Sequence, residues 1–369
     1  WSAGLGGRDH RADPLRYASG VKMDASVPGQ AQLARALTVT TDDAAPTAYK
    51  PSGFAIVGTE GWSFQERDVY SLTYATNQWV KGTAPQAVAV VYRNGVEYGT
   101  RTYVPAWLTA DDSAGTYIFK ADADANWTLS TLATKTFKYF ARGRNAAGTE
   151  ILIGANISAS VPNTLYWSTD PTNTGAWTLL ATIGNSDSAI TGLISDGRTV
   201  LILKTNGVWA YYADGSVENL TPEYESMADP DNFRNAFNWN GHLLLPLGSG
   251  GMNELVEGSL YDLSMKRRYA VDQTNLQGRV VAIGGDSSRL FILVLDTTNT
   301  KYHLLMATWD TFQGTQDFRW HHVGSITYTT STVANHATLF AEGIPSGATL
   351  HHRIWVGIES GGSNILPYF

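Results

Sequence analysis

The stretch Ser195–Leu220 reads SDGRTVLILKTNGVWAYYADGSVENL, and the fold prediction for the whole chain starts from it. Three turn dipeptides lie in it at short intervals: Asp196-Gly197, Asn206-Gly207 and Asp214-Gly215. Asp or Asn followed by Gly favours a type I′ turn, in which both residues have positive φ. Apolar runs of strand length flank these turns, at Ala189–Ile194, Thr199–Lys204, Val208–Tyr212 and Ser216–Leu220. The segment Ala189–Thr221 therefore predicts an antiparallel meander of four strands.

Similar units recur along the chain. Each has four short apolar runs, a to d in chain order, and the units cover approximately 36–82, 86–132, 135–183, 189–220, 233–272, 278–326 and 333–369. Repeats of roughly 40–50 residues with four strands each are typical of a β-propeller. We therefore expect an all-β chain, a β-propeller of about seven four-stranded blades. The competing interpretation, several β-sandwich domains, predicts linkers and breaks in the repeat, and neither is visible.

The two ends of the chain depart from this repeat. Residues 1–33 show no sustained hydrophobic period and are predicted to form an extended N-terminal arm, which leaves 34–369 for the propeller. The seventh unit stops at Asn364–Phe369, one strand short of a full unit. The missing outer strand is expected to come either from the arm or from residues beyond Phe369.

A recurring aromatic pattern supports the repeat. A strand c that ends in an aromatic residue, a polar turn and then a Trp appear in YIFKADADANWTL, LYWSTDPTNTGAWTLL and MATWDTFQGTQDFRWHHV. The residues that correspond between these segments are Trp127, Trp167 with Trp177, and Trp309 with Trp320. Large aromatic residues dominate β cores, so we expect these side chains to fill the space between neighbouring sheets.

Composition excludes several classes of function. The chain contains no cysteine, which rules out disulfides and thiolate metal sites. The net charge is −7 and the only basic cluster is Lys266-Arg267-Arg268, so nucleic acid is not expected as a partner. No apolar run approaches the ~20 residues of a membrane-spanning helix, so no membrane span is expected.

Motifs for catalysis or metal binding are absent from the sequence. It contains no GxSxG, HExxH or Walker loop. The pairs His321-His322 and His351-His352 lie in predicted strands, where neighbours point to opposite faces and cannot chelate one metal. Asp122–Asn126 resembles the start of an EF-hand loop but lacks its Gly and its final Glu, so it predicts a hairpin turn. We expect no metal and no cofactor.

One segment is similar to the Asp-box of sialidase-type propellers. Ser168-Thr169-Asp170, followed by Gly175 and Trp177, matches the motif except that the Gly comes too late. In that family the box is a structural feature of a c–d hairpin, away from the active site, so the resemblance supports the fold. A sialidase would also need an arginine trio, which cannot be placed in this sequence. A sialidase-like glycosidase therefore remains a second alternative, to be tested by a double substitution of Asp229 and Asp231.

Loop lengths indicate where binding is expected. In a propeller the d–a and b–c connections share one face, and the long connections here are of these two kinds: Gly58–Asp68, Pro105–Gly115, Thr221–Asn232 and Gly248–Gly258. Exposed loops on a rigid scaffold commonly carry binding sites, although such loops also serve only to cover the rim. The predicted ligand-binding residues on this face are Trp62, Trp107, Tyr224, Asp229, Asp231, Met252 and Glu254, with further acids at Glu66, Asp111 and Asp112. The compact unit Ala189–Thr221 carries no long loop of its own and is the least expected place for a site.

Three segments resemble β-propeller structural proteins of tailed-bacteriophage virions. They are WSAGLGGRDHRADPLRYASGVKMDASVPGQ at the start of the chain, DGRTVLILKTNGVWAYYADG, and NWNGHLLLPLGSGG. The resemblance implies a component of the tail or tail tip, located in the virion and therefore extracellular. It also implies other virion proteins as partners, in a homo- or hetero-oligomer, and host surface glycan as a further partner.

The sequence thus predicts a virion structural or assembly protein that is not an enzyme and acts through protein–protein contacts. A carbohydrate- or receptor-binding propeller is the first alternative, and the glycosidase is the second. No functional residue is carried over from the resemblance, because the family offers no catalytic motif that matches this chain.

Overall fold

The structure is a computed structural model, which describes the strands at 23–24, 32–33 and 38–39 and residues 51–368 with gaps. The gaps are 66, 74–77, 88–89, 109–114, 131–136, 157–161, 198, 227, 249–250, 257–258, 264–277, 287–288, 299, 313–314, 328–337, 347–348, 361–362 and 366. Two compact units form. The first unit is Asp42–Arg234 with Ile344–Leu350, and the second unit is Trp1–Thr41, Asn235–Gly343 and His351–Phe369.

The described elements are almost all β-strands. In chain order they are β1 (Met23–Asp24), β2 (Gln32–Leu33), β3 (Thr38–Val39), β4 (Pro51–Val57), β5 (Glu60–Gln65), β6 (Asp68–Thr73), β7 (Gln78–Lys81), β8 (Val90–Tyr92), β9 (Val96–Tyr98), β10 (Arg101–Leu108), β11 (Gly115–Ala121), β12 (Thr128–Leu129), β13 (Phe137–Arg144), β14 (Glu150–Asn156), β15 (Thr164–Ser168), β16 (Thr178–Thr182), β17 (Ile190–Ser195), β18 (Thr199–Lys204), β19 (Gly207–Tyr212), β20 (Val217–Asn219), β21 (Phe237–Trp239), β22 (His242–Pro246), β23 (Met252–Val256), β24 (Ser259–Asp262), β25 (Arg279–Gly285), β26 (Leu290–Asp296), β27 (Lys301–Phe312), β28 (Thr315–Thr327), β29 (Thr338–Ser346), β30 (Thr349–Ser360), β31 (Ser363–Ile365) and β32 (Pro367–Tyr368). Short 3-10 helices lie at Thr174–Ala176 and Pro222–Ser226. Within the described ranges, no helix is long and apolar enough to cross a membrane.

These strands form antiparallel sheets that follow the chain. The first unit contains sheet 1 (β4–β7), sheet 2 (β8–β12), sheet 3 (β13–β16) and sheet 4 (β17–β20). The second unit contains sheet 5 (β21–β24), sheet 6 (β25–β28) and the two-stranded ribbon β1–β2. These six sheets each use consecutive strands, whereas sheet 7 has the order β29-β30-β32-β3, with β31 paired to β30.

Neighbouring sheets of each unit pack face to face through apolar cores. In the first unit, one core joins sheets 1 and 2 around Phe64 and Tyr92, a second joins sheets 2 and 3, and a third joins sheets 3 and 4 around Ile153 and Ile202. In the second unit, one core joins sheets 5 and 6 and another joins sheets 6 and 7. A twisted four-stranded sheet with one apolar neighbour on each face is the blade of a β-propeller, and this predicted fold class is confirmed.

The meander predicted at Ala189–Thr221 is sheet 4, with Leu201 opposite Ala210 and Ala210 opposite Glu218. The predicted type I′ turns in it are wrong in detail. Gly197, Gly207 and Gly215 have positive φ, but Asp196, Asn206 and Asp214 do not. The side chain of Asp196 instead accepts a hydrogen bond from Thr199 N at 2.7 Å, so an Asx cap determines that turn.

The short strand Thr38–Val39 was predicted as the first strand of unit 36–82, and this assignment is wrong. It pairs with β32 of sheet 7, with Thr38 opposite Tyr368, while sheet 1 begins at β4. The last strand of sheet 7 thus comes from the N-terminal part of the chain, but from Thr38–Val39, which follows the arm predicted at 1–33 and was assigned to the first repeat unit. The physical reason is that an unpaired outer edge of sheet 7 would leave backbone donors and acceptors without partners.

Two of the recurring Trp residues, Trp127 and Trp177, lie in the core. Trp127 packs edge-on against Phe64, with ring centroids 5.0 Å apart, and Trp177 lies 4.4 Å from Phe137. Both are 5% exposed, whereas Trp167 is half-buried. The side chains of Trp309 and Trp320 lie outside the described part.

Candidate functional site

Three connections meet at one end of sheet 4. They are the link from β16 to β17 (183–189), the β18–β19 turn at Thr205-Asn206, and the segment Thr221–Arg234, named here the acidic loop. Thr205 N donates to Ala189 O at 3.1 Å, and Asp229 N donates to Thr205 O at 3.1 Å. At this sheet, therefore, the b–c turn and both d–a connections share one end, as predicted.

The acidic loop is anchored to sheet 4 by its backbone and by neutral polar side chains. At its start, Thr221 is fully buried and its Oγ1 accepts a hydrogen bond from Val208 N at 2.8 Å. Near its end, Asn232 Nδ2 donates to Thr205 O at 3.1 Å. These anchors are made by backbone and neutral side-chain groups, while the side chains of Glu223 and Glu225 lie exposed at the surface.

An aromatic pair forms the inner side of the acidic loop. Tyr224 lies in the 3-10 helix Pro222–Ser226 and packs edge-on against Phe233, with ring centroids 5.6 Å apart. Phe233 is fully buried and has a φ of +59°, a backbone conformation that is uncommon for a bulky residue. The buried ring contact therefore holds a strained backbone position just before the loop ends.

The carboxylates of the acidic loop have different surroundings. Glu223 and Glu225 are exposed, and Asn219 Nδ2 donates to Glu225 Oε1 at 2.8 Å. Asp229 is half-buried, and its Oδ1 accepts a hydrogen bond from Asp231 N at 2.8 Å. Asp231 lies 3.4 Å from Arg234 Nη1, the one basic residue of the loop. With four acids and one arginine, the loop carries a net negative charge.

Two buried polar residues of this end were missed by the sequence analysis. Lys204, the last residue of β18, is fully buried, and its Nζ donates to Ile183 O at 2.7 Å and to Asn185 O at 2.8 Å. Burial lowers the pKa of Lys204 to about 8, although the carboxylates of Asp187 and Glu225 act in the opposite direction. The Oδ1 of Asn206 is buried without a hydrogen-bond partner. In the sequence, both residues look like ordinary polar ends of strands beside a turn.

Replacing Lys204 with Met is expected to change how stability depends on alkaline pH. Between about pH 8 and 10.5 the unfolded chain binds a proton at Lys204 that the folded chain has released, so stability of the native protein rises with pH across this window. The difference in free energy of unfolding, native minus Lys204→Met, should increase by up to roughly 3 kcal/mol across the window. Urea unfolding of both proteins at several pH values measures it. A difference that stays constant with pH contradicts the prediction.

The predicted loop positions of Trp62 and Trp107 are wrong. Trp62 lies in β5 and is 6% exposed, and its ring packs edge-on against Trp127 with centroids 5.7 Å apart. Trp107 lies in β10, opposite Val91, and is 4% exposed. Most of the predicted long loop Gly58–Asp68 is in fact the strand EGWSFQ, and both faces of this strand are covered. A strand that is buried on both faces does not alternate between apolar and polar residues, so the sequence pattern did not identify it as a strand.

Met252 and Glu254 are likewise in a strand, β23, and not in a loop. Met252 is fully buried in the core between sheets 5 and 6. Glu254 is 7% exposed, and its Oε1 lies 2.5 Å from Nδ1 of His242 on the neighbouring strand. This cross-strand pair explains why a carboxylate is tolerated in a nearly buried strand, within the segment Gly248–Gly258 that was predicted to be a long connection.

The structure brings three of the predicted site residues together at the end of sheet 4: Tyr224, Asp229 and Asp231. The further acids Glu66, Asp111 and Asp112 lie outside the described residues. Among the residues that the structure describes, no group of three or more His, Asp or Glu side chains is arranged to hold a metal ion.

The two motif-like segments are hairpin turns, as predicted. Asp124 Oδ2 accepts a hydrogen bond from Ala121 N at 2.9 Å, which caps the β11–β12 turn. In the β15–β16 hairpin, Asp170 N donates to Ser168 Oγ at 3.0 Å, and Trp177 closes the turn against the core.

No family model matches the chain. No curated protein matches its sequence. Among solved structures, the chain is similar to YCF48 from Cyanidioschyzon merolae, with a TM-score of 0.55 and 13% identity over 91% of this chain and 99% of that chain. A structure of YCF48 bound to D1 peptide aligns with a TM-score of 0.45 and 17% identity over 75% of this chain and 86% of that chain. The alignment over nearly the full length of the Cyanidioschyzon protein supports the same conclusion as the sheet topology, that the chain is an all-β β-propeller built from four-stranded sheets.

Proposed function

We propose that the chain is a scaffold that binds other proteins, with the acidic loop at the end of sheet 4 as a contact surface. The observation that carries the proposal is a charged, exposed loop that is held by backbone hydrogen bonds and a buried aromatic pair. A loop that is already ordered loses little conformational entropy when a partner binds. Binding segments on rigid β scaffolds are commonly built in this way.

The charge of this surface favours a partner segment rich in Lys or Arg. Glu223 and Glu225 are exposed and Asp231 is half-buried, whereas Lys204 is fully buried and unavailable to a partner. Exposed carboxylates of one sign steer a basic segment toward the surface, and salt screens this attraction over roughly 8–10 Å. We therefore expect binding that weakens as ionic strength rises.

We further propose that this scaffold is a component of a virion. Its partners are then other virion proteins, and it has no catalytic role in assembly. The support is the similarity of Trp1–Gln30 and of the blade segments to propeller proteins of tailed-phage particles. Host surface glycan remains the alternative partner. The virion proposal is tested on purified particles, by mass spectrometry of their proteins and by immunogold labelling of the chain. Absence of the chain from particles would reject the virion role and leave the contact surface untested by that experiment.

The contact surface has its own test. Deca-lysine is expected to bind the native chain, and Glu223→Gln combined with Glu225→Gln should weaken this binding about fivefold at low salt, at roughly 0.5 kcal/mol for each exposed charge. Isothermal titration at two NaCl concentrations measures the effect. The matched control is Glu97→Gln with Asp122→Asn, two exposed carboxylates, one in β9 and one in the β11–β12 turn. Equal weakening by both double variants would mean that only net charge matters and would reject the acidic loop as the surface.

A further inference from the structure

Sheet 6 gathers an acid, two imidazoles and a hydroxyl from three adjacent strands. Asp296 ends β26, His303 lies in β27, and His322 and Ser325 lie in β28. His303 is directly opposite Ser325 in the strand register. A β-bulge between the pairs Leu304–Gly324 and Leu305–His322 leaves one residue of β28 unpaired. An extra residue reverses the alternation of faces, so His322 and Ser325 reach the same side although they are three residues apart.

The polar atoms of this cluster are in contact. Ser325 Oγ lies 2.8 Å from His303 Nδ1 and 3.1 Å from His322 Nε2, and the two ring nitrogens are 3.3 Å apart. On its other side, His303 Nε2 lies 3.5 Å from Asp296 Oδ2. Asp296 is itself held by a hydrogen bond from Thr298 N to its Oδ1 at 3.0 Å.

The protonation of the two rings follows from their surroundings. Burial lowers the pKa of His303 and lowers that of His322 to about 4, and Lys301 on β27 acts in the same direction, so both rings are neutral at pH 7. The Asp296 carboxylate favours the His303 tautomer with the proton on Nε2, which leaves Nδ1 as an acceptor for the Ser325 hydroxyl proton. The Ser325 hydroxyl proton is already donated to His303, so the contact between Ser325 Oγ and His322 Nε2 needs a proton from the ring. The single N–H of the neutral His322 ring is therefore placed on Nε2, from which it donates to Ser325 Oγ.

Exposure to solvent decreases along the cluster, from the serine to the two imidazoles to the acid. Ser325 is exposed, His303 and His322 are 8% and 7% exposed, and Asp296 is fully buried. Ser325 is therefore the member of the cluster nearest to solvent, while the base and the acid are shielded from water. This is the order of groups that activates a serine: nucleophile, general base, and a carboxylate that orients the base. His303 Nε2 makes no hydrogen bond at its 3.5 Å distance from Asp296 Oδ2, so Asp296 acts on His303 chiefly as a nearby negative charge.

We propose that Ser325 is an activated nucleophile that takes an acyl group from a carboxylic ester, with His303 as general base and Asp296 as the residue that positions it. In this step the Oγ–carbonyl carbon bond forms and the ester C–O bond breaks. The hydroxyl proton passes to His303 Nδ1 and then to the departing alcohol oxygen, and the His322 Nε2–H stabilises negative charge that develops on Oγ. The proposal goes beyond the scaffold function and concerns sheet 6 alone, so neither outcome for the acidic loop affects it.

A phosphonofluoridate probe tests the nucleophile in the native chain. Attack by Ser325 Oγ forms an O–P bond and releases fluoride, and the hydroxyl proton goes to His303. Peptide mapping by mass spectrometry should locate the adduct on Ser325. Ser216 is the internal control, since it is exposed and hydrogen-bonded to the Asp214 carboxylate at 2.6 Å but has no imidazole partner in the described structure. No adduct on Ser325, or equal labelling of Ser216, overturns the proposal.

Two variants separate the roles of His303 and Asp296. His303→Gln should reduce labelling roughly 10²-fold, because general-base assistance is lost. The labelling rate of the native chain should rise with pH as His303 loses its proton, with a midpoint below 6.5. Asp296→Asn should shift this midpoint to lower pH, because the carboxylate raises the pKa of His303. A labelling rate that is unchanged in His303→Gln, or an unchanged midpoint in a folded Asp296→Asn variant, contradicts the assigned roles.

Discussion

Replacing Trp177 with alanine is expected to lower the free energy of unfolding by about 3–5 kcal/mol, the usual cost of truncating a buried aromatic side chain. The Trp177 ring packs against Phe137, at 4.4 Å, and against Phe140, at 5.9 Å with the planes nearly parallel. Its Nε1 also donates to the hydroxyl of Tyr117 at 3.1 Å, and this hydroxyl donates in turn to the carbonyl of Pro171. The substitution therefore removes ring contacts to β13 of sheet 3, an edge-on ring contact with Tyr117 of sheet 2, and one buried hydrogen bond to that Tyr.

The matched control is Leu179→Ala, two residues further along the chain, in β16. Leu179 is 57% exposed, so its truncation should change the free energy of unfolding by less than about 0.5 kcal/mol. Denaturant unfolding followed by Trp fluorescence and by circular dichroism measures both variants. If Trp177→Ala were as stable as Leu179→Ala, the aromatic core between sheets 2 and 3 would not be a main source of stability.

Acid should destabilise the second unit through His322. Because burial lowers the pKa of His322 to about 4, the unfolded chain binds a proton between about pH 6.5 and 4 that the folded chain does not. The stabilisation is therefore fully present above pH 6.5 and is lost as the pH falls toward 4. One pKa unit corresponds to about 1.4 kcal/mol, so the loss amounts to up to roughly 3 kcal/mol over this range. The charged or titratable groups that act on His322 are His303, Lys301 and, through His303, Asp296.

The variant His322→Gln isolates this effect from the protonation of carboxylates elsewhere. Gln keeps a polar side chain near Ser325 but does not titrate. The difference in free energy of unfolding, native minus His322→Gln, should decrease from pH 6.5 to 4 and stay constant above pH 7. Parallel stability curves for the two proteins would show that His322 is protonated equally easily in the folded and unfolded chains.

Local sequence patterns predicted much of the fold. The Asp-Gly and Asn-Gly dipeptides around Thr199–Lys204 located the strands of sheet 4 within a few residues, because tight turns and apolar runs are determined by neighbours in the chain. The same holds for Trp127 and Trp177, which the repeated pattern placed in the core. The type of turn was not predicted correctly, since the Asp196 side chain caps the backbone in a way that a dipeptide rule does not include.

The candidate site was predicted only in part. Tyr224, Asp229 and Asp231 were identified because they lie in a long polar segment. Lys204 was missed because its burial depends on the carbonyls of Ile183 and Asn185, about twenty residues earlier in the chain. Glu254 was wrongly placed in a long connection, because His242, the partner that allows its carboxylate to lie in a nearly buried strand, is on another strand.

The sequence by itself determined the repeat, the all-β class and the four-stranded units, because strand length, turn residues and alternation are short-range properties. The tertiary structure alone decided which polar residues are buried and which meet. The cluster of Asp296, His303, His322 and Ser325 depends on cross-strand register and on one bulge in β28. A shift by one residue reverses every side chain of a strand, so a cluster of this kind is determined by pairing between strands and not by the residues along any one of them.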